Sequence, residues 1–232
     1  NDAYLPGVRL DPDIAIDAAP ERVADADAVL VTTPAQHLRA ALDRLRPHWQ
    51  DAALALCCKG IERSSGLLMP EVAGEILPGP PVLVLSGPTF ASEVARDLPA
   101  AVTVAGREEG SVRALMAAIG TSRFRPYASD DPIGAAVCGA TKNVMAIACG
   151  IVAGRGLGEN ARAALVTRGL AEIQRLALAK GGRPETPMGL SGLGDLLLTC
   201  TSAQSRNYSL GAALGAGETL AGLMAGRRSV AE

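Results

Sequence analysis

The feature that most constrains this chain is a change of grammar near residue 130. Before it, short unbroken apolar runs alternate with amphipathic stretches; beyond it, Ala- and Leu-rich helical patterns follow one another with no strand between them. Residues 28–34 read as a buried strand and 36–46 as a helix that stops at Pro47; residues 53–58 with 67–76, and 82–85 with a short helix at 90–95, repeat the unit. Residues 101–105, a helix near 108–119 and residues 122–127 extend it. Strands that are apolar along their whole length, each followed by a helix, need cover on both faces, which predicts a mostly parallel, doubly wound (Rossmann-like) α/β sheet. Residues 133–153, 161–180 and 204–214 carry helical patterns alone. The expected organisation is a sheet domain over residues 1–129 and a helical domain over 130–232. The boundary falls at Ser129-Asp130-Asp131-Pro132, where an Asp side chain can cap a helix and Pro132 suits its first turn.

Composition narrows the class further. With 232 residues and 48% hydrophobic content the chain can bury a substantial core. A net charge of −2 with mixed signs offers no basic stripe for nucleic acid. Apolar runs are broken by Gly, Pro or charge before reaching the roughly 18 residues of a membrane span, so no membrane insertion is expected. The five cysteines, Cys57, Cys58, Cys138, Cys149 and Cys200, are odd in number, lack C-x-x-C spacing and are accompanied by only two histidines. Buried free thiols in a reducing compartment explain them better than disulfides or zinc, and the expected location is the cytoplasm. Asn1 is not an initiator residue and no charged, apolar leader precedes the first strand, so the chain reads as starting in mid-fold. P-loop, Gly-x-Ser-x-Gly and metal-binding histidine patterns are absent, and His37 and His48 suggest no role.

The chemistry-bearing residues fall into a few segments. Gly139-Ala140-Thr141-Lys142-Asn143-Val144 sets a lysine among small and apolar residues. Such a lysine either snorkels to solvent or is held by partners at a site. Some fifty residues later, Gly192-Leu193-Gly194-Asp195-Leu196 supplies a carboxylate. Asp195 and Thr199, spaced i and i+4, share a helix face; Asp195 is suited to pair with Lys142, or simply to sit in a first helical turn. Ser205, Arg206 and Asn207 offer a hydroxyl, a fork of donors and an amide, which serve either as a helix start or as a phosphate cradle. Lys59 follows an apolar run at the carboxyl end of a predicted strand, where open α/β sheets bind ligands. Ser86-Gly87-Pro88-Thr89 ends the next strand, with Thr89 as the expected helix cap. Lys142 and the second cluster together look like a site for a small phosphorylated carbonyl compound.

These segments carry a resemblance. Cys58-Lys59-Gly60-Ile61-Glu62, Ser86-Gly87-Pro88-Thr89-Phe90-Ala91, Ala140-Thr141-Lys142-Asn143-Val144, Asn160-Ala161-Arg162-Ala163-Ala164-Leu165, Gly192-Leu193-Gly194-Asp195-Leu196 and Ser205-Arg206-Asn207 occur in this order. They resemble the soluble NAD(P)-dependent glycerol-3-phosphate dehydrogenases, most closely the bacterial type. The resemblance implies a helical domain of the 6-phosphogluconate-dehydrogenase C-terminal type and reversible reduction of dihydroxyacetone phosphate to sn-glycerol 3-phosphate, feeding glycerophospholipid synthesis. It implies that Lys142 exchanges the proton with Asp195 in support, and that Lys59, Gly87, Thr89, Asn143, Thr199, Ser205, Arg206 and Asn207 contact the substrate. Lys59, Ala91, Arg206, Val230 and Glu232 would meet the cofactor, NAD or NADP, and a homodimer is the expected assembly.

Two rivals stand beside this reading: a related two-domain hydroxy-acid dehydrogenase, against which the phosphate cradle argues, and a non-catalytic helical oligomerisation module, which has no use for Lys142, Asp195 and Arg206 together. A strand-G-x-G-x-x-G-helix unit for the pyrophosphate is absent from the sequence. Family members carry it upstream of the segment matching Asn1 and continue past Glu232, so the expectation is an internal portion that alone holds the cofactor poorly. The residue that chooses NAD or NADP belongs to that missing unit.

Overall fold

The computed structural model describes residues 5–225. Val230 and Glu232 lie outside the described residues. Five strands, β1 (Ala28–Val31), β2 (Ala53–Leu56), β3 (Val82–Ser86), β4 (Ala100–Gly106) and β5 (Phe124–Ser129), form one sheet in chain order. The pairs β1–β2, β2–β3 and β4–β5 are parallel; β3–β4 is antiparallel. The reversal of β4 sets Thr103, at the middle of β4, opposite Ser86 at the end of β3.

The alternation of side chains explains the double cover. Leu54 and Leu56 point to a core built with α1 (Leu38–Leu45) and α2 (Met69–Ile76), through Leu38, Leu42, Met69, Val72 and Ile76. Ala55 points the other way, joining Leu83 and Val104 under Val112 and Leu115 of α4 (Glu109–Ile119). A short α3 (Ala91–Val94) links β3 to β4. The first helix begins later than its pattern suggests: residues Ala35–His37 form a 3-10 turn after Pro34, whose fixed φ favours such a turn.

The first long helix starts at Pro132, where the Asp-Asp-Pro capping signal predicts a helix start. Asp131 is the N-cap of α5 (Pro132–Gly154), its carboxylate accepting from the Gly134 N–H at 2.8 Å. The other oxygen of Asp131 accepts from the Arg183 N–H at 2.8 Å and the Thr186 hydroxyl at 2.6 Å, tying α5 to the segment after α6 (Gly158–Ala179). Helix α5 is long and apolar enough to cross a membrane by length and composition, but it is the hub of the helical core, carrying Val137, Cys138, Ala146 and Cys149 into contact with α6 and α7 (Asp195–Thr201). Its partner α8 (Arg206–Gly215) runs parallel to it at backbone contact. A Cβ on Gly211 would fall 2.0 Å from the Ile147 carbonyl oxygen, and one on Gly150 2.1 Å from that of Tyr208.

Helical features without a counterpart in the sequence pattern include the 3-10 helices Pro20–Asp25 and Thr186–Met188, a π-helical turn, Leu190–Gly194, that runs straight into α7, and α9 (Leu220–Ala225). The cysteines are free, but only Cys138, Cys149 and Cys200 are buried; Cys57 and Cys58 are half-buried, because the chain leaves the sheet at Leu56.

Candidate active site

Five segments converge at the edge of the sheet where β1, β2 and β3 end. The loop after β2 delivers Lys59. Its stem crosses α5 at Gly139, where a Cβ would come within 3.2 Å of Lys59 Cγ. The next residue, Gly60, is pressed against the turn after β1, its would-be Cβ 2.6 Å from that of Ala35. At the end of β3, Gly87 lies on the backbone of β4, with room for no side chain: a Cβ would stand 2.9 Å from Val102 Cα. Pro88 then packs toward Gly194 at the head of α7. Sequence separation is thereby cancelled by small residues at each crossing.

At the centre, Asp195 is 2% exposed and holds two ammonium groups: Lys142 Nζ donates to Oδ1 at 2.6 Å and Lys59 Nζ to Oδ2 at 2.5 Å. Lys142 also donates to the Thr199 hydroxyl at 3.3 Å, and that hydroxyl donates back to the Asp195 carbonyl at 2.6 Å, the i, i+4 pairing along α7. Thus two cations compete for one buried carboxylate. Burial and the Lys59 charge both disfavour a second positive charge, and they pull Lys142 down to about 8 from the lysine norm of 10.5, against the opposing attraction of Asp195. An ammonium with that affinity exchanges its proton near neutral pH, the property a general acid or base needs.

The remaining segments are arranged around this triad. Ser205 is the N-cap of α8, its hydroxyl accepting from the Tyr208 N–H at 3.2 Å, and Arg206 and Asn207 form the first turn. The contacts of Gly211 with Ile147 and of Gly215 with Ile151 fix the register of α8 on α5; one turn earlier the same register sets Asn207 level with Asn143, beside Lys142. Asn207 Oδ1 is buried without a hydrogen-bond partner. Ala91 is the exposed first residue of α3. Thr89 corrects its sequence assignment: Phe90 takes the N-cap of α3, while the Thr89 hydroxyl turns back toward the Gly87 carbonyl at 3.4 Å, because the Gly87-Pro88 turn delays the helix by one residue.

Sequence reasoning passed over several residues here. The hydroxyls of Thr33 and Ser86, at the carboxyl ends of β1 and β3, are buried with no partner. Arg162, within one of the quoted segments, donates to the Tyr208 hydroxyl at 3.2 Å and so braces the start of α8. Gln36 and Arg39 hold the Lys59 loop from the side of α1. Position in a quoted segment was the available signal for Arg162 and Ser86.

A partly parallel sheet is thus joined to a helical part that supplies a buried lysine–carboxylate pair at the carboxyl ends of β1, β2 and β3. The profile for the NAD-dependent glycerol-3-phosphate dehydrogenase N-terminus matches residues 1–112, and that for the C-terminus matches residues 131–232. A glycerol-3-phosphate dehydrogenase of Caulobacter vibrioides is 57% identical over 233 residues, covering 100% of this chain and 70% of the relative. One from Paramagnetospirillum magneticum is 60% identical over 210 residues, covering 90% and 76%. The crystal structure of the Coxiella burnetii glycerol-3-phosphate dehydrogenase superposes with a TM-score of 0.93 at 39% identity, covering 97% of this chain and 70% of that one. The chain belongs to the NAD(P)-dependent glycerol-3-phosphate dehydrogenase family.

Proposed function

We propose that Lys142 is the proton-transfer residue with which this glycerol-3-phosphate dehydrogenase interconverts dihydroxyacetone phosphate and sn-glycerol 3-phosphate. The observation that carries the proposal is the buried carboxylate of Asp195 shared by Lys142 and Lys59 at the ligand edge of the sheet, where burial first and the Lys59 charge second leave Lys142 weakly basic. Reducing a ketone builds negative charge on its oxygen, and a positioned ammonium both stabilises that charge and quenches it with a proton. In the reverse direction neutral Lys142 takes the proton from the C2 hydroxyl. Asp195 orients the ammonium and Thr199 fixes its second hydrogen bond, while Lys59 keeps the local potential positive. Arg206, Asn207 and Ser205, at the start of α8, and Asn143 beside them, are placed in the role of gripping the phosphate, for which a fork of guanidinium donors is well suited. Gly87 and Thr89 contribute backbone and hydroxyl contacts to the substrate.

The orphaned hydroxyls of Thr33 and Ser86 fit the carboxamide end of a nicotinamide, which needs donors and acceptors at this edge. With Lys59, Ala91 and Arg206 they would hold that end of NAD or NADP, and Val230 and Glu232 are assigned to the same cofactor by resemblance. When bound, the reduced cofactor supplies the hydride. A cytoplasmic homodimer serving glycerophospholipid synthesis completes the reading, as does a division of the chain at residue 129. Following NADH and NADPH oxidation with dihydroxyacetone phosphate, beside Lys142→Arg, tests it. Turnover in the wild type with loss in the variant is expected; an equally active Lys142→Arg protein would remove Lys142 from the mechanism.

A further inference from the structure

Lys59 stands in a loop, and a loop lysine shares a buried carboxylate only if its backbone is held. Among the described residues, the single β-type contact within this loop is the bridge between Ile61 and Leu68. Within the loop, the Glu62 N–H donates to the Leu67 carbonyl and the Gly66 N–H to the Glu62 carbonyl, both at 2.8 Å; α1 and the turn before it supply the contacts that tie the loop to the sheet domain. Gln36 pairs its side-chain amide with the loop backbone, donating to the Ile61 carbonyl at 2.8 Å and accepting from the Arg63 N–H at 3.0 Å. Glu62, 8% exposed at its side chain, accepts two parallel hydrogen bonds from Arg39, Nε to Oε1 and Nη2 to Oε2, both at 2.8 Å, and a third from the Ser65 hydroxyl at 2.5 Å. Arg39 reaches on to Glu75 of α2 at 2.8 Å. A bidentate guanidinium–carboxylate pair fixes orientation as well as distance.

We propose that Glu62 is a positioning residue for the reaction: clamped by Arg39 on α1, it fixes the loop that delivers Lys59 to Asp195. The proposal rests on the role given to Lys142 above. The chain of effect is electrostatic and local. Charged groups facing Lys142 are Lys59 from the loop and Asp195 from α7, with the Cys200 thiol close enough to feel the ammonium. Those facing Glu62 are Arg39 from α1 and, through it, Glu75 from α2. When the clamp is released, Lys59 leaves Asp195. Lys142 then loses a repelling neighbour and keeps the carboxylate to itself, and both changes favour its charged form.

The test is the pH profile of kcat/KM for dihydroxyacetone phosphate reduction in the active enzyme. Glu62→Gln should move the alkaline break upward by about one pH unit, as should Lys59→Met, and the double variant should move it no further than Lys59→Met alone. Arg39→Gln, made on a partly exposed side chain, provides the same reading if Glu62→Gln fails to fold. A folded Glu62→Gln or Arg39→Gln protein with an unmoved break, while Lys59→Met moves it, would overturn the proposal. A wild-type profile with no break that Lys142→Arg removes would instead refute the proton-transfer reading on which it rests. Lower thermal stability with an unchanged profile would mark Glu62 as purely structural.

Discussion

Lys59 and Lys142, 83 positions apart in the chain, hold opposite oxygens of the same Asp195 carboxylate at 2.5 and 2.6 Å. One negative charge serves two positive ones inside the fold, and burial first, then the crowding by Lys59, lowers the basicity of Lys142.

Replacing Lys142 by Met should lower kcat by roughly 10²–10⁴-fold, the usual weight of general acid–base catalysis, while circular dichroism shows the fold retained. Methionine fills the stem's space and removes both the proton and the charge. Near-normal turnover would sink the assignment.

The pH dependence has a definite sign. Lys142 is held near 8, so reduction of dihydroxyacetone phosphate, which uses the protonated form, should fall as pH rises through about 8, and oxidation of glycerol 3-phosphate should rise through the same value. Stability runs in parallel: the folded lysine releases its proton before the unfolded one at 10.5, so between about 8 and 10.5 the unfolded chain binds more protons and the fold gains stability with rising pH. Melting temperatures measured across that window should rise less steeply in Lys142→Met than in the wild type.

Much of this was legible in the sequence, and the losses have physical causes. Strands β2 and β3 announce themselves because both faces are largely buried, leaving Ala53–Leu56 apolar throughout and Val82–Ser86 apolar up to its closing serine. Direction leaves no such trace: periodicity reads the same in either sense, and nothing in the Ala100–Gly106 segment reveals that β4 runs against β3. The π-helical turn before Asp195 was equally silent; a Cβ on Gly192 would sit 2.1 Å from the Pro187 carbonyl oxygen five residues back, a close backbone approach that apolar periodicity does not record. Lys142 and Asp195 were recognisable as partners by chemistry, whereas the Glu62–Arg39 clamp joins residues whose separate contexts look like ordinary surface helix and loop.

Asp195→Asn should be costly in two ways. With the anion gone, two ammonium groups face each other in a buried site, and breaking a buried pair of this kind costs about 3–5 kcal/mol. Lys142 should shed its proton more easily, so the reduction profile should break at lower pH than in the wild type. A break at unchanged pH would show that Asp195 does not govern Lys142.

Acid should reveal Glu62. Its carboxyl is held down to about 2 from the ordinary 4.5, first by the Arg39 hydrogen bonds and then by Ser65. The sign is the usual one for a depressed carboxylate: its stabilisation is complete above about 4.5 and disappears as pH falls toward about 2. Denaturant titrations from pH 5 downward should show a shallower loss of stability in Glu62→Gln than in the wild type, and parallel curves would count against the clamp.

The last expectation links helix packing to substrate grip. Helix α8 reaches the site only because Gly211 and Gly215 let its backbone lie on that of α5, where a Cβ at Gly211 would fall 2.0 Å from the Ile147 oxygen. Backbone cannot yield as a flexible side chain does, so Gly211→Ala must push the helices apart, at about 1–3 kcal/mol for overpacking. Moving α8 carries Arg206 and Asn207 with it but leaves Lys142, Asp195 and Lys59 on their own elements. The expected kinetic signature is therefore a rise in KM for dihydroxyacetone phosphate that exceeds the fall in kcat, with the alkaline break unmoved. Arg206→Ala should show the same bias, and its loss should be much smaller for unphosphorylated dihydroxyacetone, which has no charge to grip. Equal losses of both substrates in Arg206→Ala would remove the phosphate contact from the start of α8, and a Gly211→Ala enzyme impaired only in kcat would show that α8 acts on the chemistry rather than on binding.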